Sequence, residues 1–256
     1  MPKTKVDILS VDESNLEELG FFCYKSKRDT PGYVKKLSWV RGRLAEGMGL
    51  QIILENGVSK GFIEYIPGDY AWRAVQANGY MFIHCMWVVG RAKGKGYGSR
   101  LLEQCIRDSK KAGFHGVAML ASSGTWLANA DLFLKSGFQV ADTAAPSFSL
   151  LALTFGRHAS PSLPTDWDAR RRAYGSGLTV VYTDQCPYTD RMKQAVFNVA
   201  RELQLSARQI HLTHAEEVQE RAPSAYGVYS IVYRGDLVSY HPVGTDALKQ
   251  LIQRRL

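Results

Sequence analysis

The chain has 256 residues, of which 45% are apolar and 22% charged, and this balance excludes a largely disordered protein. A chain of this length usually forms two domains. Its net charge of +8 favours anionic ligands, but the basic residues are dispersed and no finger motif accompanies them. We therefore expect a phosphorylated small molecule as a ligand, and no nucleic acid.

The first ten residues, MPKTKVDILS, contain no apolar run, and the longer uncharged stretches are broken by polar residues. The sequence thus predicts neither a secretion signal nor a membrane span, and we expect a cytoplasmic protein. The four cysteines lack the spacing of metal ligands, so we expect free thiols and no metal site.

The first half of the chain alternates strands with helices. Apolar periodicity predicts a strand, two helices and a hairpin that turns at Asn56-Gly57, over residues 6–11, 15–27, 33–46 and 50–66. A nearly continuous apolar run over residues 80–89 predicts a central strand buried on both faces. After a glycine-rich loop and its helix, the pattern predicts a strand, a helix and a strand at residues 116–121, 128–136 and 148–155.

The glycine-rich loop lies in the stretch VVGRAKGKGYGSRLL, which begins at Val88. Glycines let backbone N–H groups approach an anion, and the following helix adds its positive N-terminal dipole. The stretch lacks the closing Gly-Lys-Ser/Thr of a P-loop and the third glycine of a dinucleotide fingerprint. What remains is a compact glycine turn that either holds an anion by another motif or is a solvated hairpin.

This order of elements resembles the GNAT acyltransferases over about residues 5–156. The glycine-rich stretch is similar to the acetyl-CoA loop of that family, and DLFLKSGF, at residues 131–138, is similar to its late helix. The resemblance implies an α/β fold with a mixed sheet, and N-acetyl transfer that uses acetyl-CoA. It also implies that the long strand splays from its neighbour.

Two registers of the loop motif fit the family pattern, Arg91-x-x-Gly94-x-Gly96 and Lys93-x-x-Gly96-x-Gly98. We prefer the second, because it puts Gly98 and Ser99 at the start of the helix. The resemblance then implies a set of residues that bind the cofactor through backbone groups or nearby charge: Met86, Val88, Lys93, Lys95, Gly96, Tyr97, Gly98 and Ser99.

An amine must be neutral to attack a thioester, so a base is expected near the centre of the sheet. Glu64, within GFIEYIP, and His84, within MFIHCMW, are the candidates. Glu64 could instead face solvent, and His84 could be a core histidine. Cys85 follows His84, but neighbours in a regular strand point to opposite faces, which argues against a Cys-His pair.

The protonation of the leaving thiolate is where the sequence departs from the family. Phe133 stands where many members have a tyrosine, and Trp126 where an asparagine is common. Tyr97, Tyr80, Ser122 and a water molecule are possible substitutes, and the sequence does not choose among them.

Residues 157–177 contain two prolines and a run of arginines, which is typical of a linker between a first domain at residues 1–156 and a second at 178–256. Arg170, Arg171 and Arg172 are expected to be solvated there, although contact with an anionic substrate is the alternative.

The second domain begins with a buried strand and then Cys186-Pro187-Tyr188-Thr189 at the opening of a helix, which resembles the active-site turn of thioredoxin. A thiol at a helix N-terminus has a stabilised thiolate, so Cys186 is the expected reactive cysteine. Thr189 replaces the resolving cysteine, which excludes ordinary dithiol exchange within the turn. No proline matches the cis-proline of that family, so docking of thiol substrates is in question.

Over its full length the chain resembles the YoaP-like GNAT proteins, in which an acetyltransferase domain precedes a small thioredoxin-like domain. This resemblance implies acetyl transfer to the amine of a small-molecule acceptor in a ternary complex. Two alternatives remain at this point: thiol or metal sensing by Cys186 with CoA as a bound signal, and a noncatalytic CoA-binding module. The sequence identifies neither the acceptor nor the oligomeric state.

Overall fold

The computed structural model describes residues 4–256 and forms two compact units. The first comprises the chain up to Lys27 together with Val40–Ala71 and Gln76–Leu163. The second comprises Arg28–Trp39, Trp72–Val75 and Pro164–Leu256. Two short segments from the amino-terminal half therefore belong to the second unit, which the sequence did not predict.

The elements up to residue 154 surround one mixed sheet. In chain order they are β1 (Val6–Val11), α1 (Leu16–Leu19), α2 (Pro31–Ala45), β2 (Gly49–Glu55), β3 (Val58–Pro67), β4 (Tyr80–Val88), α3 (Tyr97–Lys111), β5 (Gly116–Ser122), α4 (Asp131–Lys135), β6 (Gln139–Ala144) and β7 (Phe148–Thr154). The strand order is β1-β2-β3-β4-β5-β7-β6, and only the β4–β5 pair is parallel. The predicted α/β fold with a mixed sheet is confirmed.

Three elements differ from the sequence-based prediction. The helix predicted over residues 15–27 ends at Leu19, because Gly20, Phe22 and Tyr24 have positive φ angles that a right-handed helix does not accept. The late helix is shorter than predicted and spans Asp131–Lys135. Strand β6 was missed because it is a partly exposed edge strand in which half of the six residues are polar, with a bulge that breaks its alternation.

Helix α3 packs on one face of the sheet. Its residues Leu101, Leu102 and Cys105 are fully buried in a cluster with residues of the central strands, among them Ile63 and Ile83. The spacing of these apolar positions is the one that the sequence showed, so burial of this face fixes the rotation of the helix about its axis. It therefore also fixes where the first turn of α3 lies relative to the end of β4.

The second unit contains a four-stranded sheet. After helix α5 (Trp167–Arg172) its elements are β8 (Leu178–Tyr182), α6 (Thr189–Glu202), β9 (Ala207–His211), α7 (Ala215–Arg221), β10 (Tyr229–Tyr233), β11 (Asp236–Ser239) and α8 (Thr245–Gln253). The strand order is β11-β10-β8-β9, with β8 and β9 parallel and the other pairs antiparallel. Leu248 and Ile252 of α8 are buried in the same apolar cluster as Val196 and Val199 of α6.

Two of the arginines expected to be solvated are instead bonded within the second unit. Arg170 donates to the backbone oxygen of Gln219 at 2.6 Å, and Arg171 donates to that of Pro223 at 3.2 Å. Their side chains are only 11% and 16% exposed. The expectation of a solvated arginine run was therefore wrong for these two residues, because the segment forms α5 and bonds to the end of α7 and to the loop that follows it.

Among residues 4–256, no helix combines the length and the apolar composition needed to cross a membrane.

Tyr229 provides a test of the core of the second unit. Its side chain is buried in β10, and no group within residues 4–256 forms a hydrogen bond with its hydroxyl. Because a buried hydroxyl without a partner costs free energy, Tyr229→Phe should raise the free energy of unfolding by about 1 kcal/mol. Urea denaturation measures this. As a control, Tyr174→Phe should lower stability, because the Tyr174 hydroxyl donates to the Arg221 oxygen at 2.6 Å. Loss of stability in Tyr229→Phe would contradict the prediction.

Candidate active site

A gap opens between the carboxyl-terminal halves of β4 and β5. The two strands pair only where Tyr80–Ile83 lies beside Gly116–Met119, although β4 continues to Val88 and β5 to Ser122. On its other side β4 stays paired with β3 as far as Val88. Strand residues direct their backbone N–H and C=O groups alternately to either side, so the groups of residues 84–88 that point away from β3 face the gap. An extended ligand can therefore form hydrogen bonds with β4 there, as the family resemblance implied for Met86 and Val88.

The loop after β4 leads directly to the first turn of α3. Gly94 and Gly96 have φ angles of +81° and +77°, and an added Cβ at either would meet no atom within 4 Å. Gly96 is the N-cap of α3, and no side chain caps the helix. No hydrogen bond within residues 4–256 uses the N–H groups of Gly96, Tyr97, Gly98 or Ser99. Four unused donors at the positive end of a 15-residue helix suit a phosphate group.

Lys95 departs from the predicted set in one respect. Its backbone N–H donates weakly to the Ala92 oxygen at 3.4 Å. Its Nζ lies 2.7 Å from Glu55 Oε1, to which the Tyr97 hydroxyl also donates at 2.5 Å. These bonds lower the pKa of Glu55, and the bond to Glu55 raises the pKa of Tyr97. Lys95 can thus add charge near a phosphate, but its amide is not one of the unused donors.

Lys93, the other predicted lysine, lies beside an exposed aromatic ring. Its Nζ is 4.8 Å from the centroid of the Trp87 ring, and Trp87 is 53% exposed. A cation over an indole ring is held near that position without losing its charge. Lys93 therefore contributes a positive charge at the entrance to the loop.

The two candidate bases lie together. Glu64 on β3 and His84 on β4 are both buried, and Glu64 Oε1 is 3.5 Å from His84 Nδ1. This distance is just beyond a good hydrogen bond. The structure thus excludes the alternative in which Glu64 faces solvent, and it puts a carboxylate beside an imidazole at the strand position where the β4–β5 pairing ends.

A bulge at His84 changes which way the side chains of β4 point. Glu64 pairs with Cys85 and Tyr65 with Ile83, so His84 is the extra residue. Ile83 belongs to the cluster on the α3 face of the sheet, and Met86 packs against it. Both His84 and Cys85 therefore lie on the opposite face. The strict alternation that argued against a Cys85–His84 pair does not hold at this position.

The candidates for protonating the thiolate are already engaged. The Tyr97 hydroxyl donates to Glu55, and that of Tyr80 donates to the Ala159 oxygen at 3.0 Å. Ser122 Oγ lies 2.7 Å from Ser147 Oγ. Phe133 is fully buried, with its ring 5.5 Å from that of Phe138. The substitution at this position is thus accommodated by apolar packing.

Cys186, in the second unit, is half-buried and lies three residues before α6 begins at Thr189. The hydroxyl of Thr189 donates to the Cys186 oxygen at 2.8 Å, and its N–H donates to the same oxygen at 3.2 Å. Cys186 thus lies just before the N-cap Tyr188, at the amino-terminal end of α6. The turn is closely packed: a Cβ added to Gly32 would lie 2.3 Å from the Pro187 oxygen.

Sequence reasoning missed Arg73, which is buried in the second unit beside this turn. Its guanidinium donates to the Trp72 oxygen at 2.7 Å and to the side chain of Gln185, the residue before Cys186. It also lies 5.0 Å from the centroid of the Tyr226 ring. The segment around it, AWRAVQANG, has no periodicity that would distinguish it from an exposed loop.

Residues 13–138 match the family model described as acetyltransferase (GNAT) family. This stretch is just under half of the chain and includes the glycine loop, Glu64 and His84. Over 248 residues the chain is 29% identical to the uncharacterized N-acetyltransferase YoaP of Bacillus subtilis (strain 168), and the match covers 95% of this chain and 97% of that relative. Over 80 residues it is 31% identical to the L-methionine sulfoximine/L-methionine sulfone acetyltransferase of Salmonella typhimurium, which covers 31% of the chain and 44% of that relative.

Solved GNAT structures also match. The PaiA N-acetyltransferase of Thermoplasma acidophilum, in complex with coenzyme A, is 14% identical with a TM-score of 0.43, and the match covers 59% of this chain and 99% of that one. A GNAT family acetyltransferase of Brucella melitensis, in complex with acetyl-CoA, is 16% identical with a TM-score of 0.40, and the match covers 63% of this chain and 97% of that one.

The protein is therefore an acyltransferase of the GNAT type, as the sequence predicted. These relatives give no support to the alternative in which Cys186 senses thiols or metals.

Proposed function

We propose that this GNAT protein transfers the acetyl group of acetyl-CoA to the primary amine of a small molecule, by direct attack within a ternary complex. The observation that carries the proposal is that β4, which loses its pairing with β5 after Ile83, leads along the chain to four unused N–H groups at the start of α3. This arrangement suits a ligand with a hydrogen-bonding arm at one end and a pyrophosphate at the other.

In this proposal the N–H groups of Gly96, Tyr97, Gly98 and Ser99 bind the pyrophosphate of acetyl-CoA. Lys93 and Lys95 add positive charge, and the backbone at Met86 and Val88 pairs with the pantetheine amides. The start of α3 at Tyr97, with Gly96 as its N-cap, supports the register Lys93-x-x-Gly96-x-Gly98. All the proposed phosphate contacts come from protein N–H groups and ammonium groups, so this mode of binding requires no metal ion.

Glu64 and His84 act in this proposal as the base for the acceptor. The amine nitrogen bonds to the thioester carbonyl carbon, the carbon–sulfur bond breaks, and the electron pair leaves with the CoA thiolate. The proton lost by the amine passes to Glu64 or His84, whose Oε1 and Nδ1 atoms lie 3.5 Å apart, and from there to solvent. Because a thiol has a pKa of about 8.5, CoA can leave as the thiolate without a protein acid and then take up a proton from solvent at neutral pH.

The second unit is proposed to be a thioredoxin-like domain. The strand order β11-β10-β8-β9, with β8 and β9 parallel and a helix after the Cys186 turn, supports this assignment. Its proposed role is to bind or orient a group of the acceptor near Cys186. Thr189 in place of a second cysteine argues against a redox cycle.

Acceptors with a free α-amine are the first to test. The relative that acetylates L-methionine sulfoximine and L-methionine sulfone supports this choice, because its matching stretch is 31% identical. Release of free CoA from acetyl-CoA in the presence of each amine measures turnover. No release with any primary amine, from folded protein that binds acetyl-CoA, would leave the noncatalytic alternative.

The glycine loop gives the first prediction for this function. A side chain at Gly96 would enter the space that the phosphate requires, so Gly96→Ala should weaken acetyl-CoA binding by about tenfold or more in calorimetry. Gly113→Ala is the matched control, because Gly113 has a φ of +79° against +77° at Gly96 and equally open space, but lies after the far end of α3. Gly113→Ala should have similar backbone strain, and its affinity for acetyl-CoA should equal that of the wild type. Equal affinities in the two variants would sink the proposed site.

The base gives the second prediction. Glu64→Gln and His84→Gln should each lower kcat about a hundredfold and alter the acidic limb of the pH–rate profile, while affinity for acetyl-CoA stays near that of the wild type. Tyr65→Phe is the control: Tyr65 is the next buried polar residue of β3 and its hydroxyl bonds to Asp108 on α3. It should reduce stability and leave the profile unchanged. Wild-type profiles from both site variants would contradict the assignment.

Cys186 gives the third prediction. If the thiol orients the acceptor, Cys186→Ser should raise the acceptor KM a few-fold and change kcat little, because serine keeps a donor of similar size. Complete loss of transfer would instead indicate covalent chemistry at the thiol. In the folded wild type an alkylating agent should label Cys186 well before Cys105, whose pKa is raised by complete burial.

A further inference from the structure

The second unit contains a cavity of about 230 Å³ whose lining includes none of the residues proposed above for acetyl transfer. Its lining comes from α5 and the residues after it, from β9 and from the end of α7: Arg170, Ala173, Tyr174, Arg208, Ile210, Glu220 and Arg221. Three guanidinium groups and one carboxylate thus line a single small cavity. Such a concentration of arginine is unusual unless anions compensate it.

Each arginine is anchored by part of its guanidinium. Arg170 donates through Nε to Asp166 and through Nη1 to the Gln219 oxygen. Arg208 donates through Nη2 to the Tyr174 oxygen and through Nε to Thr179.

Arg221 is held more loosely and donates only through Nη1 to Glu217 at 2.8 Å. The hydrogen bonds within residues 4–256 therefore leave at least one nitrogen of each guanidinium unused: Nη2 of Arg170, Nη1 of Arg208, and Nε and Nη2 of Arg221.

Tyr174 gives independent evidence that the three charges converge. Burial raises the pKa of its hydroxyl, and the positive charges of Arg221, Arg170 and Arg208 all oppose that rise. All three guanidinium groups are thus within electrostatic range of one phenol oxygen. Asp166 and Glu217 offset two of the charges, whereas no carboxylate within residues 4–256 pairs with Arg208.

We propose that this cavity binds the phosphate group of a small molecule. Guanidinium edges match the oxygens of a phosphate, and three of them can donate to one dianion from different sides. The walls formed by Ala173, Ile210 and the Tyr174 ring add apolar surface, which suits a monoester with a short organic group better than a bare ion. Glu220, in the same lining, limits affinity by repulsion.

Calorimetric titration with inorganic phosphate and with glycerol 3-phosphate, at constant ionic strength, tests the proposal. The expected result is saturable binding of one equivalent of glycerol 3-phosphate, tighter than that of phosphate. Arg221→Gln and Arg208→Gln should each weaken it about tenfold. Glu220→Gln should strengthen it. Arg201→Gln removes the same charge from α6, outside the cavity, and should leave it unchanged.

If Arg208→Gln does not fold, Arg221→Gln still tests the proposal, because the Arg221 side chain forms a single hydrogen bond within residues 4–256, to Glu217, whereas that of Arg208 forms two. Tighter binding of inorganic phosphate than of the monoester would assign the cavity to the free ion rather than to a phosphorylated metabolite. Equal affinities in wild type, Arg208→Gln and Arg221→Gln would overturn the proposal. So would loss of phosphate binding in Gly96→Ala alone, because the ion would then occupy the α3 loop.

Discussion

The candidate site depends on the bulge at His84, where β4 stops pairing with β5. A bulge bends a strand and increases its twist, so the carboxyl-terminal part of β4 diverges from β5 directly after Ile83. The same extra residue turns His84 and Cys85 to one face of the sheet and brings His84 beside Glu64. One local irregularity thus accompanies both the end of the β4–β5 pairing and the close approach of His84 to Glu64.

The glycine loop adds a second constraint to the candidate site: the N–H groups in the first turn of a helix need hydrogen-bond acceptors. The first N–H groups of any helix lack acceptors within it, and a side-chain cap usually supplies one. Gly96 has no side chain to do so, and its left-handed conformation turns the chain into α3 without covering the amides. The N–H groups of residues 96–99 therefore have no acceptor within residues 4–256, while Glu55 bonds to the side chains of Lys95 and Tyr97 beside them.

The sequence predicts those parts of the fold that are encoded by periodicity or by a local motif. Burial of Leu101, Leu102 and Cys105 follows from helical spacing, and the loop follows from its glycines. The bulge at His84 has no such signature. The flanking residues of β4 are apolar on both faces, so the extra residue changes no alternation that could be seen in the sequence. Strand β6 is too polar to stand out, and the packing of Arg73 against Gln185 joins residues far apart in the chain. Only the tertiary structure brings these features together.

The second unit is formed by three separate segments of the chain, and this limits where the protein can be truncated. Arg28–Trp39 and Trp72–Val75 belong to that unit with Pro164–Leu256. Gly32 packs against Pro187, and a Cβ on Gly227 would lie 3.2 Å from the Arg73 Cα. A cut after Leu163 would therefore remove these partners from both segments and expose the apolar surface of Trp72, which is 2% exposed in the intact chain. If such a fragment lost acetyl transfer, the loss could follow from lower stability as well as from the absence of Cys186. Single substitutions in the full chain therefore discriminate better between possible functions of the second unit.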